Sequence, residues 1–364
     1  PEDATVAISL NSLGTVLAAM GKYAEARDSY ERALTIRRKA LGSNHPLVAN
    51  SYNLLGTAFD ALGKYEEALA EYEHALAIRK NVLGEAHPDV ASALTNMGTA
   101  FDALGRSNEA LKVYEQALAI REKVLAPDHP DIASTLNNLG IALRGMGRYP
   151  EARARLERAL AIREKAQGAE HPDVATTLAD LGQVLRTMKK YPEARSHYLR
   201  ALAVQEKALE PGHPDIAITL QGLGNVLRDM RKYEEARGRH EQALALREKA
   251  LGAEHLLVAE SLGNLGRTLV RLKRWDEAGR TLERALARWE KEAKPAPRGY
   301  SETLLGMGEL LLARGQPAEA VAPLERALHL APADVRAEVK PVLEKARAGG
   351  TPDRRARTAL APVP

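Results

Sequence analysis

Residues 171 to 210 read HPDVATTLADLGQVLRTMKKYPEARSHYLRALAVQEKALE, and what these residues hold, and how often they recur, decides the fold. His171 precedes Pro172, which suits a first helical position because the N–H it lacks has no partner there, and Asp173 sets a negative charge in the first turn. Leu178, Leu181, Gly182 and Leu185 share one arc of a helical wheel, so a first helix, A, is expected to about Met188. Tyr191-Pro192-Glu193 opens a second helix, B, which carries Ala194, Tyr198, Ala201 and Val204 to about Leu209.

The pattern returns every 42 residues. Gly14, Gly56, Gly98, Gly140, Gly182, Gly224, Gly266 and Gly308 are evenly spaced. Each is followed twelve residues later by an alanine (Ala26, Ala68, Ala110, Ala152, Ala194, Ala236, Ala278, Ala320), and seven residues further on by another, from Ala33 to Ala327. Self-similarity at a period of this size marks an array in which each unit buries its apolar face only against its neighbours. The expected fold is therefore all-α: an α-solenoid of about eight tandem helix-turn-helix repeats, with function in an extended surface. Glycine inside a helix costs about 1 kcal/mol relative to alanine, so its return at every equivalent site implies an approach too close for a Cβ. A different glycine follows helix A in the first four repeats (Gly21, Gly63, Gly105, Gly147), placed for a left-handed cap. Lys189, Arg231 and Lys273 stand there in the next three, so those turns must change geometry or accept strain.

A globular chain of 364 residues would split into two or three domains, but an array grows its core in one dimension. The boundaries expected here are an eight-repeat solenoid over 1–331, a capping helix over 332–348, kinked or shortened by Pro341, and a disordered basic tail over 349–364. A surplus of 52 basic over 48 acidic residues makes no basic stripe, which argues against nucleic acid. Cysteine is absent, in keeping with a reducing, cytoplasmic compartment. No apolar stretch approaches the roughly 18 to 20 residues of a membrane span, and no signal peptide opens the chain. Pro1-Glu2-Asp3 aligns with loops such as Ala169-Glu170-His171, so the chain is expected to begin within an array.

These residues resemble the tetratricopeptide repeat. A large residue stands four before the glycine (Leu10, Tyr52, Leu94, Leu136, Leu178, Leu220, Leu262, Leu304), and the two helix B alanines match. The longer unit, with Leu136-Asn137-Asn138-Leu139-Gly140, Ala161-Ile162-Arg163-Glu164-Lys165 and His171-Pro172-Asp173-Val174-Ala175, is similar to the repeats of kinesin light chain and of many bacterial proteins. The resemblance implies a right-handed superhelix and a non-catalytic scaffold that binds a peptide segment or partner domain in a concave groove. It also offers an alternative, the regulatory or sensor C-terminal region of a larger bacterial signalling enzyme, either a serine/threonine kinase or a nucleotide-switch ATPase. Self-association through exposed array ends is a third reading.

The recurring His45, His87, His129, His171, His213 and His255 stand one repeat apart, and packed helices are already about 8 to 10 Å apart. Such a ladder cannot converge on a metal, so a capping or turn role is expected, with no metal and no cofactor. Glu66-Glu67 and Glu234-Glu235 suit the first turns of helix B. Arg37, Arg79, Arg121, Arg163 and Arg247 fall late in helix B, where pairing and the helix C-terminus give them a structural part. No phosphate loop or nucleophile motif is found.

The helix A face opposite the packing stripe is the candidate site, since in tetratricopeptide arrays it lines the groove. It holds Asn11, Asn53, Asn96, Asn137, Asn138, Gln183, Gln221, Asn225 and Asn264, amides that both donate to and accept from a peptide backbone. Its charge changes sign: Asp60 and Asp102, then Arg144, Arg186, Arg228, Arg267 and Arg271. One-signed lining attracts the opposite charge, so an acidic or phosphorylated segment across Arg144 to Arg271 is expected, with basic residues toward Asp60 and Asp102. The competing account has these arginines paired with Asp180, Asp229 or helix B glutamates, and the amides merely solvated.

Overall fold

The computed structural model describes residues 4–291 and 297–350. Seventeen helices and no strand occur among the described residues. The first unit holds α1 (Ala4–Ala19), α2 (Tyr23–Leu41), α3 (Pro46–Ala61), α4 (Tyr65–Leu83), α5 (Pro88–Ala103), α6 (Ser107–Val124), α7 (Pro130–Gly145), α8 (Tyr149–Gln167) and most of α9 (Pro172–Thr187). The second holds α10 (Tyr191–Ala208), α11 (Pro214–Asp229), α12 (Tyr233–Leu251), α13 (Leu256–Arg271), α14 (Trp275–Trp289), α15 (Pro297–Ala313), α16 (Pro317–Leu330) and α17 (Ala333–Gly350). Odd-numbered helices through α15 are the A helices and even-numbered ones the B helices. The division between the two compact units falls after Val184, inside α9. From α1 to α8, and again from α10 to α16, each helix packs on the next, in the tandem order of a tetratricopeptide-type solenoid, and α17 packs on α16 and α15.

The sequence explains these boundaries locally. At each of the five His-Pro turns, and at His255-Leu256, the histidine Nδ1 accepts the backbone N–H two residues on, at 3.1 to 3.3 Å, so the ring caps helix A. A capping acceptor stabilises a helix start by about 0.5 to 2 kcal/mol. Helix A ends on a left-handed residue throughout, and Lys189, Arg231 and Lys273 adopt φ of 60° to 61° where the earlier repeats use glycine. Of the two outcomes open to these turns, strain is the one taken. α17 runs through Pro341 and ends at Gly350, so this proline does not terminate it. Residues 351–364, read above as a tail, lie outside the described residues, as do Pro1-Glu2-Asp3 and 292–296.

The glycines inside helix A are packed by side chains of helix B. A Cβ built on Gly56 would lie 2.6 Å from the Tyr72 ring, and one on Gly98 would lie 2.4 Å from Tyr114. Tyr72 and Tyr114 are almost wholly buried, as are the alanines Ala68, Ala75, Ala110 and Ala117 around them. The close approach expected from the glycines is thus made by a large side chain that fills the place of a Cβ.

The late helix B arginines have a reason the sequence did not show. Arg37, Arg79, Arg121, Arg163 and Arg247 each donate to a backbone carbonyl ten residues on, in the first turn of the following helix A, at 2.9 to 3.1 Å. Arg37 and Arg247 also reach the hydroxyls of Ser51 and Ser261, both at 2.9 Å, and Arg121 and Arg163 reach those of Thr135 and Thr177. They clamp one repeat to the next. Burial pushes all five guanidinium pKa values down, so the carbonyl bonds are what hold the charges in place.

Candidate partner-binding face

On the helix A face of the first unit, polar groups of successive repeats join in rungs. Asn96 Nδ2 donates to Asn53 Oδ1 at 3.0 Å, and Asn137 Nδ2 to Asp180 Oδ2 at 2.9 Å. Asn11 stands in the same register and, with its amide oxygen turned toward Arg37, accepts from it at 2.6 and 3.1 Å. Asn138 and Arg144 are half-buried, as is Gln183. Burial raises the Asp180 carboxyl, against Asn137, Arg144 and Arg163, which lower it. These bonds fix the amides in place, so the face is a preset array of donors and acceptors.

Asp60 and Asp102 differ from the rest. Both are half-buried, and no cation among the described residues pairs with either. Burial raises the Asp60 carboxyl; it pushes Asp102 up to about 6, a shift that the Tyr114 hydroxyl only partly offsets. Two carboxylates without counter-charge on neighbouring A helices leave room for a cationic group to pair with them.

In the second unit the arginines meet acids from several helices. Arg186 Nε donates to Asp229 Oδ2 at 2.7 Å, Arg271 reaches Glu309 at 2.6 Å, and Arg267 reaches Glu338 of α17 at 2.9 Å. Gln221 donates to Glu260 at 2.8 Å and accepts from Arg247 at 2.5 Å. Asn225 keeps a buried carbonyl oxygen with no hydrogen bond. Burial acts to raise the Glu338 carboxyl, but Arg267, Arg186 and Arg228 together hold it below its ordinary value. Arg186, Arg267 and Arg271 are thus answered by carboxylates of the same chain.

Arg228 is not. It is 8 % exposed and its polar contacts are two long ones, to the carbonyl and the side-chain oxygen of Asn264, at 3.5 and 3.4 Å. Burial, with Arg267 and Arg186 beside it, brings its guanidinium down to about 10. It lines a cavity of about 440 Å³ whose other walls are Asp229, Arg231, Tyr233, Arg267, Arg271, Glu309, Glu338 and Val342. Sequence reasoning placed Arg228, Arg267 and Arg271 on one face but missed Glu309, Glu338, Tyr233 and Arg231. Glu338 lies outside the 42-residue register, so spacing could not reveal it. Arg231 stood out only as a side chain in a glycine position.

The sequence pattern described as Tetratricopeptide repeat matches residues 5–81, 61–123, 89–165, 131–207, 173–249, 215–291 and 257–333. The chain belongs to the tetratricopeptide repeat family. A search of curated proteins finds no match. Among solved structures, the chain is similar to the nearly identical tetratricopeptide-like repeats of a protein described as a kinesin light chain of Podosopora anserina (29% identity over 55% of this chain and 94% of that one, TM-score 0.49). It is also similar to BtubC (BKLC) of P. vanneervenii (20% identity, 62% and 91%, TM-score 0.54) and to a tetratricopeptide repeat protein of Parabacteroides merdae (16% identity, 82% and 98%, TM-score 0.56). The latter two likenesses speak for the fold. Tetratricopeptide repeat proteins are in general protein-interaction scaffolds, and among the described residues no helix is long and apolar enough to cross a membrane.

Proposed function

We propose that this tetratricopeptide repeat protein is a non-catalytic cytoplasmic scaffold that binds an extended segment of a partner protein along the face of its A helices. The observation that supports this reading is the preset polar face: the Asn53–Asn96 rung holds two half-buried amides in fixed orientations without covering them. Rigid donors and acceptors at regular spacing suit a peptide backbone, and side-chain preference comes from unpaired charges beside them. In the first unit those charges are Asp60 and Asp102, which favour lysine or arginine in the partner. In the second, the paired state of Arg186, Arg267 and Arg271 narrows the expected acidic docking from a whole ladder to the surroundings of Arg228.

A peptide-display selection against the full chain, repeated with the double variant Asp60→Asn and Asp102→Asn, tests the reading. Enriched peptides should carry basic residues, and that preference should vanish in the variant while its helical circular dichroism stays intact. Absence of enrichment with both folded proteins contradicts it.

A further inference from the structure

The cavity at the ends of α11 and α13 takes one wall from α17, an element outside the repeat register. Glu338 of α17 accepts from Arg267 Nη2 at 2.9 Å, and the charges of Arg186 and Arg228 act on it as well, so three arginines converge on one carboxylate. Asp229 and Glu302 offset Arg228 too, which leaves the cluster little free charge to draw in an added anion. An acid from a partner must therefore replace one already present, an exchange that conserves charge. Of the carboxylates lining the cavity, Asp229 is 23 % exposed and lies 2.7 Å from Arg186, while Glu309 is 10 % exposed and sits between Arg271 at 2.6 Å and Arg267 at 3.7 Å. Glu338 is 50 % exposed and pairs with Arg267 alone, so it is the one that can turn out into water. The helix under it stays in place, because Val335, Val339, Leu343 and Ala346 are 2 % exposed or less in the core that α17 shares with α15 and α16.

We infer that Glu338 is a built-in competitor: it occupies the place of an acidic side chain of the partner, which binds Arg267 when Glu338 swings aside. Arg267 is buried, its hydrogen bond among the described residues goes to Glu338, and its Nε is buried without one, so this guanidinium needs a carboxylate in either state. A cavity of about 440 Å³ with Arg267 in its wall has room for an aspartate or glutamate side chain to reach it from outside. Because Glu338 is tethered beside Arg267, its effective concentration there is high, and an isolated acid competes poorly. A segment already anchored elsewhere on the A-helix face competes on equal terms, since its acid is then tethered as well. Glu338 thus restricts acidic docking to partners that engage the rest of the face. The inference rests on the reading of that face as a docking surface and names the regulation of its acid-accepting end.

Fluorescence anisotropy of fluorescein-labelled hexaglutamate, titrated with the full chain, tests it. Glu338→Ala should bind the probe at least about fivefold more tightly than the unmodified chain, and alanine keeps the helix. Glu338→Asp leaves the net charge as it is but is one methylene shorter, so it holds Arg267 less well and should gain about threefold. Glu344→Ala removes the same charge from an exposed site on the same helix, outside the cavity lining, and should leave affinity unchanged. The inference is overturned if Glu338→Ala and the unmodified chain bind alike, if Glu344→Ala gains as much, or if neither Glu338 variant binds the probe. Helical circular dichroism checks each variant; should Glu338→Ala lose its fold, Glu338→Asp against the unmodified chain decides by the same criterion. If hexaglutamate fails throughout while display-selected peptides with basic residues still bind, the competitor role falls and the scaffold reading stands.

Discussion

Asp102 and His240 show what single residues contribute beyond the repeat consensus. The Asp102 carboxyl, raised by burial from 3.8 to about 6, stays protonated in the folded chain over a range where the unfolded chain has already lost the proton. Stability from this group is therefore fully present below about pH 4 and is lost as pH rises through 6. Asp102→Asn should raise the melting temperature at neutral pH and bring no gain at pH 4; a gain equal at both pH values would contradict the assignment. His240 stands where other repeats hold Tyr30, Tyr72 and Tyr114, whose hydroxyls reach Thr15, Thr57 and Thr99. Its own ring nitrogens are buried and without hydrogen bonds, and burial, then Arg228 and Arg186, hold its pKa far below the usual value. The position equivalent to those threonines is Asn225, whose carbonyl oxygen is also buried without a partner. His240→Tyr should donate to it and stabilise the fold by about 1 kcal/mol in chemical denaturation. The glycine and alanine positions were legible from the sequence, because a small residue kept at fixed spacing inside a helix points directly to close packing. The pairing of Arg186 with Asp229 was open as one of two accounts, since a helical wheel places residues on a face without saying which of them touch.

Between helices, the arginine clamp carries the link from one repeat to the next. Arg163→Met should remove charge-assisted bonds to the Asp173 carbonyl and to the Thr177 hydroxyl, which keeps only its own bond to that carbonyl, costing about 2 kcal/mol in urea unfolding. A loss below about 0.5 kcal/mol would mean the guanidinium is replaceable by packing alone. Gln205 and Trp289 occupy the corresponding positions of two other repeats, both buried, so the clamp is absent there by substitution. The sequence placed these arginines in a structural role but assigned them to their own helix end, because the partner carbonyl belongs to the following element. α1 shows the opposite case, an element with a neighbour on one side only. Leu13 and Val16 are 49 % and 56 % exposed, while Leu55, Leu139, Val184 and Val226, at the same repeat positions, are 3 % or less. Val16→Ala should therefore change stability by less than about 0.5 kcal/mol, and Val226→Ala should cost about 1.5 to 2.5 kcal/mol. Equal costs would show that the α1 face is covered in solution.

For the molecule as a whole, the 42-residue period made the order of helices legible before any coordinate, since each unit can bury its apolar stripe only on the next. The composition of the site was less legible. Rungs such as Asn53–Asn96 and Arg186–Asp229 join residues 43 apart, one more than the period, so aligned columns of the repeat do not display them. The cavity around Arg228 takes a wall from α17, which follows no repeat spacing at all. Fold and surface together support a scaffold whose odd-numbered helices meet the partner. The direct test is photo-crosslinking of a display-selected peptide carrying benzoylphenylalanine, followed by mass mapping of the adducts on the full chain. The account predicts adducts on α3, α5, α7, α11 and α13, at or beside the polar positions of those helices. Adducts confined to the even-numbered helices, or to the exposed face of α1, would contradict it.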